Sequence, residues 1–407
     1  MNMRTNELYE IVDGQPMDAV IRVIGVGGGG CNSVNEMVMA EIEGVELIAA
    51  NTDRKHLEKC KTTNIMQLGP RCSRGLGAGS DPMRGREAAA ESRDLIREMI
   101  EGTDLLFICA GMGGGTGTGA APVIAEIAKE MEILTVAVVT KPYAFEPPKR
   151  RGVAERGLAE LRNLVDSLIV IPNEKLQLVL PEDMTVVECH KKADEVLKNA
   201  VQGISGIITS PGEISVDFAD VRTVMSNRGM AMMGIGVGSG EARAIEAVEA
   251  ALSCPLIDDI ELHDAKGILV TLAHSGSLKK KELTLVMERV GQIGNDEVDM
   301  KFGISIDESM GEDLRVTVVA TGLGSKAAAA ADRQREAEEN RKVVNINQPR
   351  NEPAIPPLIG PADIDYETPA INRERKVANG GSSAPSWLNQ LDESVLNIPT
   401  FLRQQAD

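Results

Sequence analysis

Short β-rich runs alternate with amphipathic helical segments through the first half of the chain. The apolar runs are AVIRVIGV at residues 19–26, VELIAANTD at 45–53, TDLLFICA at 103–110, ILTVAVVTKP at 133–142 and SLIVIP at 167–172. Strands that alternate with helices are typical of a parallel sheet with helices on both faces. The pattern therefore predicts a doubly wound α/β domain over residues 19–180.

A longer helical pattern follows, and we expect it to form a central helix over residues 181–210. Its apolar positions recur at the 3.6-residue spacing of one buried stripe: Ala193, Val196, Leu197, Ala200, Val201, Ile204, Ile207 and Ile208. Pro211 and Gly212 end the pattern, because proline cannot continue a helix. Further strand-like and helical runs predict a second, smaller α/β domain over residues 211–324.

The two ends of the chain differ from the middle in composition. Residues 1–18 are polar, and we expect a flexible tail. Residues 325–390 are rich in Pro, Asn and charge, so they bury too little apolar area to fold and are predicted to be a disordered linker. Residues 391–407 regain apolar side chains, which after a long linker is typical of a partner-binding peptide.

The composition of the chain argues against several classes of function. The chain has 407 residues, a net charge of −18 and only 2% aromatic residues. The acidity argues against a general nucleic-acid binder, and the scarcity of aromatics argues against base-stacking platforms. The six cysteines show neither CxxC pairs nor a disulfide framework, and no apolar run is long enough to span a membrane. We therefore expect a cytoplasmic protein that binds no nucleic acid and does not insert directly into a membrane.

The run GMGGGTGTG, residues 111–119, joins the apolar run TDLLFICA to the helical pattern APVIAEIAKEM. Its glycines and threonines leave backbone N–H groups unshielded. The helix that follows points the positive end of its dipole toward them. No lysine follows, so the P-loop pattern GxxxxGK[ST] is not met. The run predicts a loop that holds phosphate by peptide dipoles and hydroxyls together with a metal ion.

A second glycine run, GVGGGGCN at residues 25–32, satisfies GxGxxG through Gly25, Gly27 and Gly30, and Asp53 ends the next strand. This layout is also that of a dinucleotide-binding unit, so an NAD-linked dehydrogenase is an alternative. A dinucleotide site needs only one pyrophosphate loop. Two loops in one sheet favour a triphosphate.

Two further loops carry groups that a nucleotide needs. The turn GLGAGSDPMRGR, residues 75–86, is a candidate third phosphate loop, although its signal alone is weak. In TKPYAFEPPKR, residues 140–150, Glu146 can accept hydrogen bonds from ribose hydroxyls and Arg150 can neutralise phosphate charge. A surface loop with one ion pair is the alternative interpretation.

Candidate base-binding residues follow the last of these strands. Asn173 comes directly after SLIVIP, and Asp194 lies one helical turn after His190. The carboxylate of Asp194 can accept from guanine N1–H and the exocyclic amine, which adenine does not offer as a pair, while His190 can stack on the base. A solvated helix residue is the alternative for Asp194.

Asp217 and Asp220 lie three residues apart where a new helical run begins, so they share one helix face. One interpretation is a helix N-terminus stabilised by acids. The other is a pair of carboxylates that position and polarise a water for phosphoryl transfer. They stand far along the chain from the phosphate loops, and the sequence alone leaves both interpretations open.

Taken together, these segments resemble a known family in order and spacing. The matching motifs are GGGGCN, NTD at residues 51–53, GLGAGSDP, GMGGGTGTG, VTKPYAFEPPKR, IPNEKL and VDFADVRTVM, and the similarity covers about residues 19–323. They resemble FtsZ, the bacterial tubulin-like cell-division GTPases. The resemblance implies a Rossmann-like parallel-sheet GTPase domain, a long central helix and a smaller α/β domain with a mixed sheet.

The resemblance also implies a set of site residues. The implied nucleotide-binding residues are Gly28, Gly29, Gly30, Cys31, Asn32, Asp53, Gly77, Ala78, Gly79, Gly114, Gly115, Thr116, Gly117, Glu146, Arg150, Asn173, His190 and Asp194. GTP and GDP are the implied ligands, and Mg²⁺ compensates the phosphate charge through the phosphates themselves. Asp217 and Asp220 are implied to act catalytically on the nucleotide of a neighbouring copy, so hydrolysis requires a head-to-tail homopolymer at the midcell division site.

The terminal LNIPTFLRQQAD resembles the partner-binding peptide of the family. It implies docking to membrane-adaptor and division proteins through Leu396, Ile398, Pro399, Phe401, Leu402 and Arg403. Three positions depart from the family pattern: Cys31 replaces glycine, His190 replaces phenylalanine, and Ser215 replaces asparagine in the catalytic loop. Because of Ser215, a GTP-binding structural polymer or regulator with little hydrolysis is an alternative function.

Overall fold

The structure is a computed structural model that describes residues 19–177, 180–181, 183–209, 216–227, 229–254, 256–257, 265–292 and 298–323. The predicted tail, linker and partner-binding peptide lie outside these residues, as does Ser215. Among the described helices, none is long and apolar enough to cross a bilayer.

Six parallel strands form the sheet of the first domain. They are β1 (Ile21–Val26), β2 (Val45–Asn51), β3 (Asn64–Gln67), β4 (Leu105–Gly111), β5 (Leu134–Lys141) and β6 (Ser167–Pro172). Their order is β3-β2-β1-β4-β5-β6, and β1 pairs in parallel with both β2 and β4. Because the chain leaves β1 toward β2 and later returns to β4, a crevice opens between the carboxyl ends of β1 and β4, where doubly wound folds bind their ligands.

Helices cover both faces of this sheet. The helices of the first domain are α1 (Gly27–Met39), α2 (Arg54–Leu57), α3 (Pro82–Glu91), α4 (Arg93–Ile100), α5 (Thr116–Glu130), α6 (Pro148–Arg162) and α7 (Asn173–Gln177). One apolar core joins the sheet to α3, α4, α5 and α6. A second core joins the opposite face to α1 and to the long helix described next. The doubly wound α/β prediction is confirmed.

The predicted central helix is α8, Val186–Thr209, and it begins five residues later than expected. Thr185 determines this start, because its hydroxyl accepts from the Glu188 N–H while the Glu188 carboxylate accepts from the Thr185 N–H. Most of the predicted stripe is buried in the core under β1, β4 and β5, namely Ala193, Leu197, Ala200, Val201, Ile204 and Ile207. Val196 and Ile208 are half-buried and pack against that core.

The second half of the chain extends the same sheet. Its elements are α9 (Phe218–Met225), β7 (Gly229–Gly238), α10 (Arg243–Leu252), β8 (Gly267–His274), α11 (Lys280–Gly291), β9 (Asp299–Ile306) and β10 (Leu314–Leu323). The order continues as β6-β7-β10-β8-β9, with β10 antiparallel to β7 and β8, and β8 parallel to β9. The mixed sheet is therefore confirmed, and three residue pairs between β6 and β7 join it to the parallel sheet.

Candidate functional site

A cavity of about 420 Å³ lies at the carboxyl ends of β1, β4 and β5. The first turns of α1 and α5 form its floor, and residues of α7 and α8 close its far end. This is the crevice at which the strand order reverses, so the topology alone marks it as a ligand site. Its volume falls in the range of small-molecule and cofactor sites.

The two glycine loops contact each other beneath the cavity. Gly27 has a φ of +73°, and a Cβ there would lie 2.8 Å from the Gly117 nitrogen. A Cβ on Gly117 would lie 2.6 Å from the Gly111 oxygen. Only glycine permits this backbone approach, so the glycines of the two runs bring the N-termini of α1 and α5 side by side.

Both helix N-termini present free backbone donors to the cavity. Within the described residues, neither α1 nor α5 receives a side-chain cap. The first-turn N–H groups and the positive ends of two helix dipoles are therefore available to an anion. Gly28 and Gly29 are exposed and line the cavity together with Thr116, whose hydroxyl contacts that of Thr52 at 2.6 Å. The arrangement can hold a polyphosphate without a P-loop lysine.

The structure brings most of the sequence-predicted residues together. The predicted residues that line the cavity are Gly28, Gly29, Asn32, Gly114, Gly115, Thr116, Gly117, Glu146, Arg150, Asn173, His190 and Asp194. Glu146 and Arg150 form an ion pair with each other at 2.6 Å, and the arginine side chain is half exposed. The ion pair of the alternative interpretation is thus present, and both of its residues line the cavity.

Gly30 and Cys31 occupy a different place from the one expected. A Cβ on Gly30 would lie 2.2 Å from the Cys109 oxygen, so this glycine allows α1 to approach β4. The Cys31 side chain is fully buried on the far side of α1, where Sγ donates to the carbonyls of Gly25 and Ala50. Gly30 and Cys31 therefore serve the packing of α1. Neither residue belongs to the described lining of the cavity.

The third predicted loop borders the second glycine loop. Leu76 pairs with Asp53 in an isolated bridge, and the Gly77 N–H donates to the Thr52 carbonyl. A Cβ on Gly115 would lie 2.9 Å from the Ala78 Cβ. Gly79 lines a larger neighbouring cavity of about 1100 Å³. The loop thus lies beside the second glycine loop but outside the lining of the 420 Å³ cavity.

Polar groups suited to a base lie at the other end. The Oδ1 atom of Asn173 is buried and has no hydrogen-bond partner among the residues that the structure describes. The Ser33 hydroxyl donates to Asp194 Oδ1 at 2.7 Å, and burial raises the pKa of Asp194 to about 6. A buried acceptor without a partner is costly unless a ligand supplies the donor.

Two residues of this end were missed by sequence reasoning. Tyr143 is buried, its ring lies 5.4 Å from that of His190 in an edge-on arrangement, and its hydroxyl donates to the Cys189 carbonyl. Burial raises its pKa to about 12. Ser33, the partner of Asp194, is 161 residues away in the chain. Tyr143 lies inside the quoted loop motif, whereas no local signal marks Ser33.

Asp217 and Asp220 lie elsewhere in the molecule. Asp217 is the N-cap of α9, and its Oδ1 accepts from the Asp220 N–H at 2.8 Å. Asp220 pairs with Lys301 Nζ at 2.9 Å, and α9 packs beside β8 and β9. As described, the cavity lining contains neither acid. Within one copy of the chain, the structure therefore does not bring these acids to the cavity.

Comparisons with known proteins match both halves of the chain. Residues 20–181 match the Tubulin/FtsZ family, GTPase domain, and residues 229–324 match the FtsZ family, C-terminal domain. The cell division protein FtsZ of Azotobacter vinelandii is 48% identical over 98% of this chain and 100% of its own length. That of Neisseria meningitidis serogroup B is 52% identical over 98% of each chain.

Solved structures agree with these matches. The FtsZ of M. jannaschii, solved as an empty dimer, has a TM-score of 0.73 and 44% identity over 76% of this chain and 89% of its own. CetZ1 from Haloferax volcanii, at 21% identity and a TM-score of 0.65, shares the fold. The dehydrogenase alternative receives no support from these relatives. Two matched family domains and near-full-length relatives at about half identity show that the chain belongs to the FtsZ family of tubulin-like cell-division GTPases.

Proposed function

We propose that the protein binds GTP in the cavity between α1, α5 and α8 and hydrolyses it only where a second copy contributes its α9 acids. The observation that carries this proposal is that the binding groups and the acids of α9 lie apart in one chain. Two uncapped helix N-termini and a base-binding end share one cavity, while Asp217 and Asp220 lie outside its described lining. A cavity with binding groups but distant acids fits a site completed by assembly.

The triphosphate binds at the two glycine loops in this proposal. Backbone N–H groups of Gly28, Gly29 and the first turn of α5 hold its oxygens, and the loop at Gly77–Gly79 borders the terminal phosphate. The two carboxylates of the described lining are already partnered, Glu146 by Arg150 and Asp194 by Ser33. Mg²⁺ therefore binds through the phosphates, where it neutralises their charge.

The base binds at Asn173, His190 and Asp194. Asp194 accepts from N1–H and the exocyclic amine of guanine, and the unpartnered Oδ1 of Asn173 adds a further acceptor. His190 offers its ring to the base plane and is itself supported by Tyr143. Adenine presents no pair of donors to a carboxylate, so this end selects guanine.

Head-to-tail contact supplies the catalytic acids. The contacting surfaces differ, so the contact is heterologous and repeats into an open filament. In the filament, Asp217 and Asp220 of one copy face the terminal phosphate of the next and polarise the attacking water. The filaments act in the cytoplasm at midcell.

The terminal peptide attaches these filaments to partners. The peptide binds membrane-adaptor and division proteins through Leu396, Ile398, Pro399, Phe401, Leu402 and Arg403. Many peptides on one filament bind with avidity through the linker of residues 325–390. Truncation after residue 390 is expected to leave GTP hydrolysis and filament length unchanged while abolishing recruitment to adaptor-coated vesicles in a co-sedimentation assay. Loss of hydrolysis in the truncated chain would contradict this division of roles.

The decisive experiment is the substitution Asp217→Asn, which keeps the N-cap acceptor and removes the charge. We expect normal GTP binding, phosphate release lowered by about two orders of magnitude, and longer-lived polymers in light scattering. Asp94→Asn is a matched control, because Asp94 is an exposed acid in the first turn of α4. Loss of GTP binding in Asp217→Asn, with the control unaffected, would sink the proposal.

A further inference from the structure

Three soft ligands meet on the inner side of the first glycine loop. The ligand atoms of Cys31, His56 and Cys60 all lie within 4.8 Å of one another. Cys31 belongs to α1, His56 belongs to α2, and Cys60 closes the turn that follows α2. Two sulfurs and one imidazole nitrogen form the donor set of a tetrahedral zinc site with one open position.

The surroundings of this cluster suit a bound metal. Cys31 is fully buried against Ala49 and Leu57, while His56 and Cys60 are half-buried, so an ion can enter from one side. Both thiols make long contacts to backbone carbonyls, from Cys31 at 3.6 and 3.7 Å and from Cys60 at 3.5 Å, and they also hydrogen-bond to each other. Thiols are weak donors, so coordination replaces little hydrogen bonding.

Two thiolates would balance the charge of one divalent ion bound at this cluster. In the absence of an ion, the cluster consists of two thiol groups and one imidazole. A divalent ion displaces the two protons and leaves a cluster without net charge, which is the form that a buried site tolerates. Sulfur and nitrogen ligands select zinc over Mg²⁺, which prefers oxygen.

The cluster is built into the frame of the nucleotide cavity. Asp53 caps α2 by accepting from the backbone N–H of His56, which fixes the backbone from which the imidazole extends. His56 also lines the cavity, and a Cβ on Gly28 would lie 3.8 Å from its Cε1 atom. An ion held here would tie α1 to α2 directly behind the phosphate-binding end.

We propose that Cys31, His56 and Cys60 bind one zinc ion per chain, at a site separate from the nucleotide and its Mg²⁺. The site combines a cysteine in the first glycine run with a histidine and a cysteine that stand four residues apart after β2. The ion ties α1 to α2, whether or not GTP is bound.

The test uses the full-length chain, reduced, chelator-treated and free of nucleotide. Titration with Co²⁺ is expected to give thiolate-to-cobalt charge-transfer absorption that saturates at one ion per chain, and Zn²⁺ is expected to bleach it. Cys31→Ala, Cys60→Ser and His56→Asn should each weaken Co²⁺ binding by about tenfold or more. Cys72→Ser is the matched control, because Cys72 is exposed and outside the cluster, and it should bind as the wild type does.

A second measurement is needed because Cys31→Ala can also loosen the core. Zn²⁺ added to the wild type in weak buffer should release about two protons per ion at neutral pH, and Cys60→Ser should release about one fewer. Unfolding of each metal-free variant in urea shows whether its fold is intact. Unchanged Co²⁺ absorption in folded Cys31→Ala and Cys60→Ser, or zinc binding by the wild type without proton release, would overturn the proposal.

Discussion

At the scale of single residues, Asp194 combines a cost to folding with a proposed function. Its side chain is half-buried at the end of the cavity near α7 and α8, with the Ser33 hydroxyl as its hydrogen-bond donor. Desolvation nevertheless outweighs this bond, because the pKa rises from 3.8 to about 6. A carboxylate kept partly unsatisfied is suited to accept two donors from a guanine base. The protein thus accepts instability where it binds its ligand.

This cost predicts a pH dependence that Asp194→Asn removes. Between pH 3.8 and about 6 the folded state binds the proton more tightly than the unfolded state. The free energy of unfolding therefore falls as pH rises through this range and stays low above it. Nucleotide-free Asp194→Asn should exceed the wild type in stability by about 1–3 kcal/mol near pH 7.5, and by less near pH 4.5.

Urea unfolding of the wild type and Asp194→Asn at the two pH values measures this difference. Ser33 remains able to donate to the asparagine carbonyl, so the hydrogen bond is kept. Asp94→Asn serves again as the exposed control and should change neither curve. An equal stability difference at both pH values would mean that Asp194 titrates as an exposed carboxyl does.

Gly27 and Gly28 give a second prediction, from adjacent residues in different environments. Gly27 has a φ of +73° and its Cβ would meet the Gly117 nitrogen, whereas the nearest atom to a Cβ on Gly28 is 3.8 Å away. Gly27→Ala should therefore cost about 1–2 kcal/mol from the left-handed backbone alone. Gly28→Ala should be neutral or stabilise α1 by up to about 1 kcal/mol.

The urea midpoints of both glycine variants, compared with the wild type, decide this point. Gly27→Ala should also weaken GTP binding, because the two glycine loops can no longer approach each other. If Gly28→Ala destabilises the protein as strongly as Gly27→Ala, the contact between the two loops is not what requires glycine.

At the scale of elements, Arg243 anchors the second half of the sheet. Its guanidinium donates to both Glu282 oxygens, at 2.8 and 3.0 Å, to the Glu312 carbonyl at 2.7 Å, and to the hydroxyl and carbonyl of Ser277. Both charged side chains are buried, with 6% and 12% of their area exposed. One arginine on α10 thus holds the first turn of α11 and the loop that leads into β10.

Arg243→Ala should consequently be among the costly substitutions. It leaves the Glu282 carboxylate buried without its cation, and we expect a loss of about 3–5 kcal/mol in urea unfolding. Arg289→Ala is the matched control, because Arg289 pairs with Glu249 at 3.4 Å while both are half exposed. The control should cost less than about 1 kcal/mol. Similar losses for the two variants would show that the Arg243 network contributes little beyond a surface ion pair.

Elements with strong periodicity were predictable from sequence, and elements determined by close packing were less so. The buried stripe of α8 follows its 3.6-residue pattern. In β7, however, glycines 234, 236 and 238 alternate because α10 lies against them, so that a Cβ at each would fall 2.0–2.1 Å from a helix carbonyl. Such glycines resemble turn residues in a sequence. Their reason appears only when the strand and helix are seen in contact.

The same limit holds for the site. The residues that line the cavity at the glycine loops were predictable, since strand ends and helix starts converge in any doubly wound sheet. The Ser33 contact to Asp194 and the position of Cys31 depend on distances between segments far apart in the chain. No single loop motif carries that information.

At the scale of the whole molecule, one sheet runs through both halves of the chain. In the part of the chain that the structure describes, the strands run from β3 at one edge to β9 at the other, with the cavity at the ends of β1, β4 and β5, and α9 packs beside β8 and β9. The pairing of β7 with β6 was not predictable, because a residue pattern does not show which strands pair. A continuous sheet holds the cavity and the α9 acids in one frame. In the proposed filament, this frame fixes the position of one copy's acids relative to its own cavity.

If each active site is shared between two copies, two inactive variants should restore activity when mixed. The Asp217→Asn variant binds GTP but lacks the carboxylate of residue 217. The Asp194→Ala variant keeps the Asp217 carboxylate but binds GTP poorly. In an equal mixture, about one contact in four pairs an intact cavity with an intact Asp217. Phosphate release per chain should therefore rise well above that of either variant alone, and it should fall again on dilution below the assembly concentration.

A mixture of Asp217→Asn with Asp220→Asn is the control and should stay inactive, because both variants lack an acid on the same element. Activity in the first mixture that merely equals the average of its components would show that each chain completes its own site.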